Sequence, residues 1–189
     1  MTISTSIGST PAAATPLPPH EQIRQVAARY ARGVDRLDVA TMRSAYWPEA
    51  IDDHGVYIGD AMAFCERVVA THARFEWTMH CILNHWIELV DDTTAHGEIY
   101  NVTHCRSLVD DEPVQDTWWG RYLDRYERRG DEWRIIRRVC VHEGTQRSSV
   151  TASMPIDAAL FQQGSADRGE RFASVRPDDW PVRSSTTSG

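Results

Sequence analysis

Apolar residues recur at three- and four-residue steps through the first part of the chain and at two-residue steps after it. Ile23, Val26, Ala27, Tyr30 and Val34 form the stripe of an amphipathic helix whose buried side includes a phenol. Gly33 weakens the end of that helix, and Asp38 is placed to cap a second one carrying Val39, Met42, Ala45 and Tyr46. The stretch from Ala50 to Gly59, punctuated by Gly55, predicts a short extended segment. Asp60 then caps a third helix with Ala61, Phe64, Cys65, Val68 and Val69 on its buried side. From Trp77 the period is two. Long strands are predicted over residues 77–90, 94–109, 114–128 and 133–143, with turns at Asp91-Asp92, Asp110 to Pro113 and Arg129 to Glu132.

Helices first and long antiparallel strands afterwards predict an α+β domain, a curved antiparallel sheet wrapped around three N-terminal helices. In the first long strand, alternation assigns His80, Ile82, Asn84 and Trp86 to one face and Cys81, Leu83, His85 and Ile87 to the other. Both faces are largely apolar, so both need cover. The helices are expected on one side and another subunit on the other, which predicts a homo-oligomer, a dimer or trimer.

The ends differ from the middle. Residues 1–20 carry no Lys or Arg and are broken by Pro11, Pro16, Pro18 and Pro19, which predicts a disordered leader without the marks of a signal peptide. The domain is expected over residues 21–150. Residues 151–189 read as an irregular extension, interrupted by Pro155, Gly164, Gly169, Pro177 and Pro181, that docks in places through Ile156, Leu160, Phe161 and Trp180.

Composition narrows the function. In 189 residues the net charge is −7 with no basic stripe, which argues against nucleic acid as a partner. No run approaches the ~20 apolar residues that span a bilayer, so no membrane partner is expected. The four cysteines, Cys65, Cys81, Cys105 and Cys140, are far apart in apolar segments and read as free thiols in a reducing compartment, the cytoplasm. The eight histidines show no metal-ligand spacing, and neither a phosphate cradle nor a GxSxG elbow is present. No metal and no cofactor are expected.

The candidate chemistry begins at Asp35. A carboxylate near the carbonyl end of a helix is poorly placed unless something cationic answers it. Arg32 or Arg36 answers it at the surface, or a histidine from elsewhere does. His80, early in the first long strand and four residues before Asn84, is either a hydrogen-bonded structural group or a base. If it meets Asp35, the carboxylate holds one ring nitrogen protonated and leaves the other to remove a proton. Asp52, Asp53 and His54 build a turn, or His54 adds a second proton-transfer group or a substrate hydrogen bond. Asn84 is a candidate for substrate contact, and His104, in the second long strand, is a weaker one. His72, His85, His96 and His142 read as structural or surface residues.

The segments YARGVDRLD, TMHCILN and RYERRGDEWRIIRR, in the order helices then long strands, resemble the SnoaL-like branch of the nuclear-transport-factor-two-like superfamily over roughly Glu21 to Glu143. That group includes scytalone dehydratase, gamma-hexachlorocyclohexane dehydrochlorinase and bile acid 7-alpha-dehydratase. The resemblance implies a cone-shaped α+β barrel and a cofactor-independent lyase acting on a small hydrophobic cyclic or aromatic molecule. It maps the family's aspartate–histidine dyad onto Asp35 and His80, and an acid or polariser onto Tyr30. Arg138 falls where the dehydrochlorinase has a pocket arginine, or it is an exposed strand residue. The same dyad would serve carbon–carbon cleavage releasing an aldehyde, or isomerisation. A non-catalytic small subunit or binding protein of an aromatic-ring oxygenase system shares the fold as well.

Overall fold

The computed structural model describes residues 17–151 together with Met154, Pro155 and Asp157. Most of the expected leader lies outside these residues. So does most of the expected extension, including Ile156, Leu160, Phe161 and Trp180.

Helix α1 spans Pro19–Asp35 and begins two residues earlier than expected, with Pro19 at its first position, where the missing N–H costs nothing. Its apolar stripe is buried as the period requires, and Gly33 is held inside the helix by a close approach. A Cβ on Gly33 would fall 2.4 Å from the backbone nitrogen of Met42, so α1 and α2 (Val39–Arg43) touch only because that side chain is missing. Asp38 caps α2, accepting from the Thr41 N–H at 3.0 Å. Helix α3 spans Ala61–His72, and Asp60 caps it through the Ala63 N–H at 2.7 Å.

Ala45 and Tyr46 do not belong to the second helix. Tyr46 opens strand β1 (Tyr46–Asp53), which pairs with β2 (Ile58–Asp60) on one side. Pro48 explains the early stop, because it bars helix and pushes Trp47 to extended backbone.

Strands β3 (Trp77–Leu89), β4 (Thr94–Val109), β5 (Glu112–Arg129) and β6 (Glu132–Ser149) complete one sheet in the order β2-β1-β6-β5-β4-β3. The β4–β5 turn has positive φ at Asp110 and Asp111, the twist that suits a two-residue hairpin, and Gly130 takes φ 62° in the β5–β6 turn. The fold class is α+β as expected, but the sheet is mixed and unclosed. β1 runs parallel to β6, and β6 continues six residues past the expected end at Glu143.

One irregularity decides what faces the helices. The β3–β4 register slips between Ile82 and His85, a bulge that inverts the alternation. His80 and Ile82 face inward before it; His85 and Ile87 face inward after it. Asn84 and Trp86 therefore point outward, contrary to the alternation expected from the sequence. Inside, the helices lay their stripes on a core that includes Ile99, Tyr122, Tyr126, Trp133 and Ile135. Among the described residues, no helix is long and apolar enough to cross a membrane.

Candidate active site

Asp35 is the last residue of α1, and β3 meets it there. Its Oδ1 accepts from the Thr78 hydroxyl at 2.9 Å and bonds His80 Nδ1 at 2.7 Å; its Oδ2 accepts from the His80 backbone N–H at 2.9 Å. The helix end that would repel a lone carboxylate is thus answered by three groups of one strand. Because a carboxylate only accepts, His80 Nδ1 carries the proton and Nε2 is left as the basic nitrogen. The His80 side chain is 6% exposed and that of Asp35 20%.

His80 opens onto a cavity of about 240 Å³ between the helices and the sheet. Tyr30 and Val34 of α1, Phe64, Val68 and His72 of α3, and Trp118 and Tyr122 of β5 form much of its wall. That volume lies below the ~300–1,000 Å³ typical of drug-sized ligands, so it suits a molecule of one or two rings. The His72 ring centroid stands 6.3 Å from that of His80, and its Nδ1 is 3.0 Å from the Val68 carbonyl. His72 was read from sequence as structural or surface; its place on the wall is visible only once α3 packs beside β3.

His54 also lines the cavity. Its Nδ1 bonds Asp52 Oδ1, and its Nε2 is 3.3 Å from the Tyr30 hydroxyl. Its ring stacks on Phe64 with centroids 4.3 Å apart. Asp52 is 0% exposed and also accepts from the Tyr46 hydroxyl at 2.6 Å. The sequence signal for this pair was a two-residue step, Ala50, Asp52 and His54, on one side of an extended segment. Burial pushes the Tyr30 phenol well above its usual range, with Tyr122 adding to the effect. Tyr30 therefore remains an O–H donor. Cys140 lines the same cavity, and burial pushes its thiol up to about 12, which leaves it neutral rather than nucleophilic.

Three expected substrate contacts are placed elsewhere. Asn84 is exposed on the outer face, turned there by the β3 bulge. His104 sits on the outward-facing set of β4 and bonds the Thr117 hydroxyl at 3.1 Å. Arg138 faces inward but lies beneath the cavity wall, 0% exposed. It forms a fork with Asp124, Nε to Oδ1 at 2.7 Å and Nη2 to Oδ2 at 2.6 Å. Its Cζ is 4.2 Å from the Tyr30 ring centroid and 4.1 Å from that of Tyr122. Burial works against this charge, but Asp124 and the tyrosines outweigh it and hold the guanidinium well above its usual range. Arg138 therefore supports the floor on which Tyr30 and Tyr122 rest.

Beside that ion pair stands His85, whose Nε2 is 3.5 Å from the Tyr126 hydroxyl. Burial lowers its pKa to about 4, with Arg24 and Arg138 adding to the effect and Asp124 opposing it. The unfolded chain protonates this ring near 6.5, so between about 6.5 and about 4 the unfolded state binds more protons. The stability contributed by neutral His85 is full above that window and is lost as pH falls through it. Urea denaturation across the window should show a shallower loss of stability in His85→Gln than in the wild type.

A curved, mixed and unclosed sheet folded over three helices, with ionisable groups meeting at a partly open hollow, defines an α+β fold. The sequence matches the SnoaL-like domain family over residues 16–139, and the chain belongs to that family. The fold is similar to that of a putative scytalone dehydratase from Novosphingobium aromaticivorans, with TM-score 0.61 and 17% identity, covering 72% of this chain and 92% of that one. A hexachlorocyclohexane dehydrochlorinase from Novosphingobium barchaimii gives TM-score 0.59 and 18% identity, covering 72% and 94%. A Nostoc punctiforme protein of unknown function with a cystatin-like fold gives 0.55 and 16%, covering 68% and 96%. At these identities the likeness is one of fold. No match is found among curated protein sequences.

Proposed function

We propose that this protein is a cofactor-independent lyase that eliminates water from a small, largely hydrophobic cyclic or aromatic molecule. The observation that carries the reading is the Asp35–His80 pair, tied together by hydrogen bonds and opening onto a cavity of about 240 Å³. His80 Nε2 takes a proton from carbon, the C–H electrons form the new double bond, and the neighbouring C–O bond breaks. Asp35 orients the imidazole and balances its charge, while the Tyr30 hydroxyl hydrogen-bonds the departing oxygen. Family membership supports this reading, as does the similarity in fold to proteins named for elimination reactions.

Product analysis tests it. Incubation with a panel of small cyclic β-hydroxy ketones should release water from at least one member, read by mass spectrometry. Loss of an aldehyde, or a rearranged product of unchanged mass, would move the reaction to carbon–carbon cleavage or to isomerisation. Absence of any conversion across the panel would contradict the elimination.

We propose too that the protein is a homo-oligomer whose outer sheet face meets a second copy. Trp86 is 74% exposed there, and with Leu123 and Val139 it borders a surface hollow of about 370 Å³.

A further inference from the structure

A second carboxylate–imidazole pair borders the same cavity, and the base does not use it. Tyr30 precedes Asp35 by five residues, roughly 7.5 Å of helical rise, so the Asp52–His54 pair that meets Tyr30 is set back from the Asp35–His80 pair. Taking a carboxylate fully out of water is unfavourable unless it is well paired. A turn needs no such group, because Asp53 already makes the turn by accepting from the Gly55 N–H at 3.0 Å. Asp52 instead accepts from Tyr46 and engages His54 Nδ1, which turns His54 Nε2 toward the Tyr30 hydroxyl.

Resting on the elimination reading, we propose that Asp52, His54 and Tyr30 form a proton-delivery line to the leaving group, so that this site expels an oxygen that must be protonated rather than a halide. His54 starts as the imidazolium, its charge balanced by Asp52. As the C–O bond breaks, Tyr30 passes its hydroxyl proton to the departing oxygen and takes the Nε2 proton of His54. Water leaves, His80 holds the proton taken from carbon, and His54 is neutral; exchange with solvent resets both rings. Burial holds the Tyr30 phenol well above its usual range, so it passes a proton only as another arrives. A halide departs as a stable anion and needs none of this.

The test uses two small fused-ring probes, benzisoxazole and 5-nitrobenzisoxazole. A base removes the ring C–H proton, that electron pair completes a nitrile, the N–O bond breaks and a phenoxide leaves. The nitro group stabilises the phenoxide, so only the plain compound depends strongly on an acid. His54→Gln should lower kcat/KM by about 10²-fold on benzisoxazole and by less than about tenfold on the nitro compound. Asp52→Asn, which keeps the volume of the buried position, should show the same split. Activity on the nitro compound reports that each variant is folded. Equal losses on both probes, or no loss on either, would overturn the delivery line while leaving His80 as the base. If His80→Ala retains both rates, or the wild type is no faster than buffer, the elimination reading itself fails and the delivery line falls with it.

Discussion

Asp124→Ala is expected to lower the free energy of unfolding by about 3–5 kcal/mol, because it strands the Arg138 guanidinium in the core. Both side chains are 0% exposed, and Asp124 takes up two of the guanidinium nitrogens and the Tyr126 hydroxyl, the last at 2.7 Å. Against a total of roughly 5–15 kcal/mol for a domain, such a loss takes a large share of the stability. Removing both charges together, as Asp124→Leu with Arg138→Met, should cost less than the single change, since nothing ionised is then left unpaired. Urea denaturation of the single and double variants measures the difference. A single variant within about 1 kcal/mol of the wild type would show that the pair is not shielded from water.

The largest effect on turnover is expected at the Asp35–His80 pair. His80→Ala removes the basic nitrogen and should lower kcat by about 10²–10⁴-fold. Asp35→Asn keeps the shape but exchanges an acceptor-only group for one that also donates. With the amide oxygen at the Oδ2 position the His80 backbone N–H keeps its acceptor, and the amide NH2 at the other position faces the Thr78 hydroxyl, which can accept, so the fold should persist. The imidazole, however, loses the charge that favours its protonated form during the reaction, and the rate should fall within the same range. Steady-state kinetics of the two variants, beside their circular dichroism, separates lost chemistry from lost structure. Neither change should move the unfolding midpoint as far as Asp124→Ala does.

Much of the fold was legible because most elements carry their own period. The stripe of α1, the caps Asp38 and Asp60, and the three hairpin turns are local properties that survive packing. Strand β1 was harder to read, since its long partner β6 lies more than eighty residues away and pairs in parallel. Pro48 nevertheless held a usable hint that the helix had ended. The β3 bulge left no such trace. It reverses which side chains face inward, and that reversal turned Asn84 to the outer face and His85 to the inner one.

At the site, residue pattern alone left Asp35 between a surface arginine and a distant histidine, and the family resemblance pointed to His80. Their contact, 45 residues apart in the chain, arises because β3 crosses the end of α1. His54 was read as part of a turn or as a second proton-transfer group, and its pairing with Asp52, wholly buried behind Tyr46, comes from packing. Arg138 was harder still, because its partner Asp124 faces it across the β5–β6 ladder and nothing in either segment marks the two as a pair.

The proposed elimination rests on an imidazole on the sheet, held by the acid that closes the first helix and facing a small hollow. The most direct measurement is the initial rate of 5-nitrobenzisoxazole breakdown by the wild type, Asp35→Asn and His80→Ala at equal concentration. The wild type should run well above the buffer rate and both variants should drop close to it with unchanged circular dichroism. Three equal rates would contradict it.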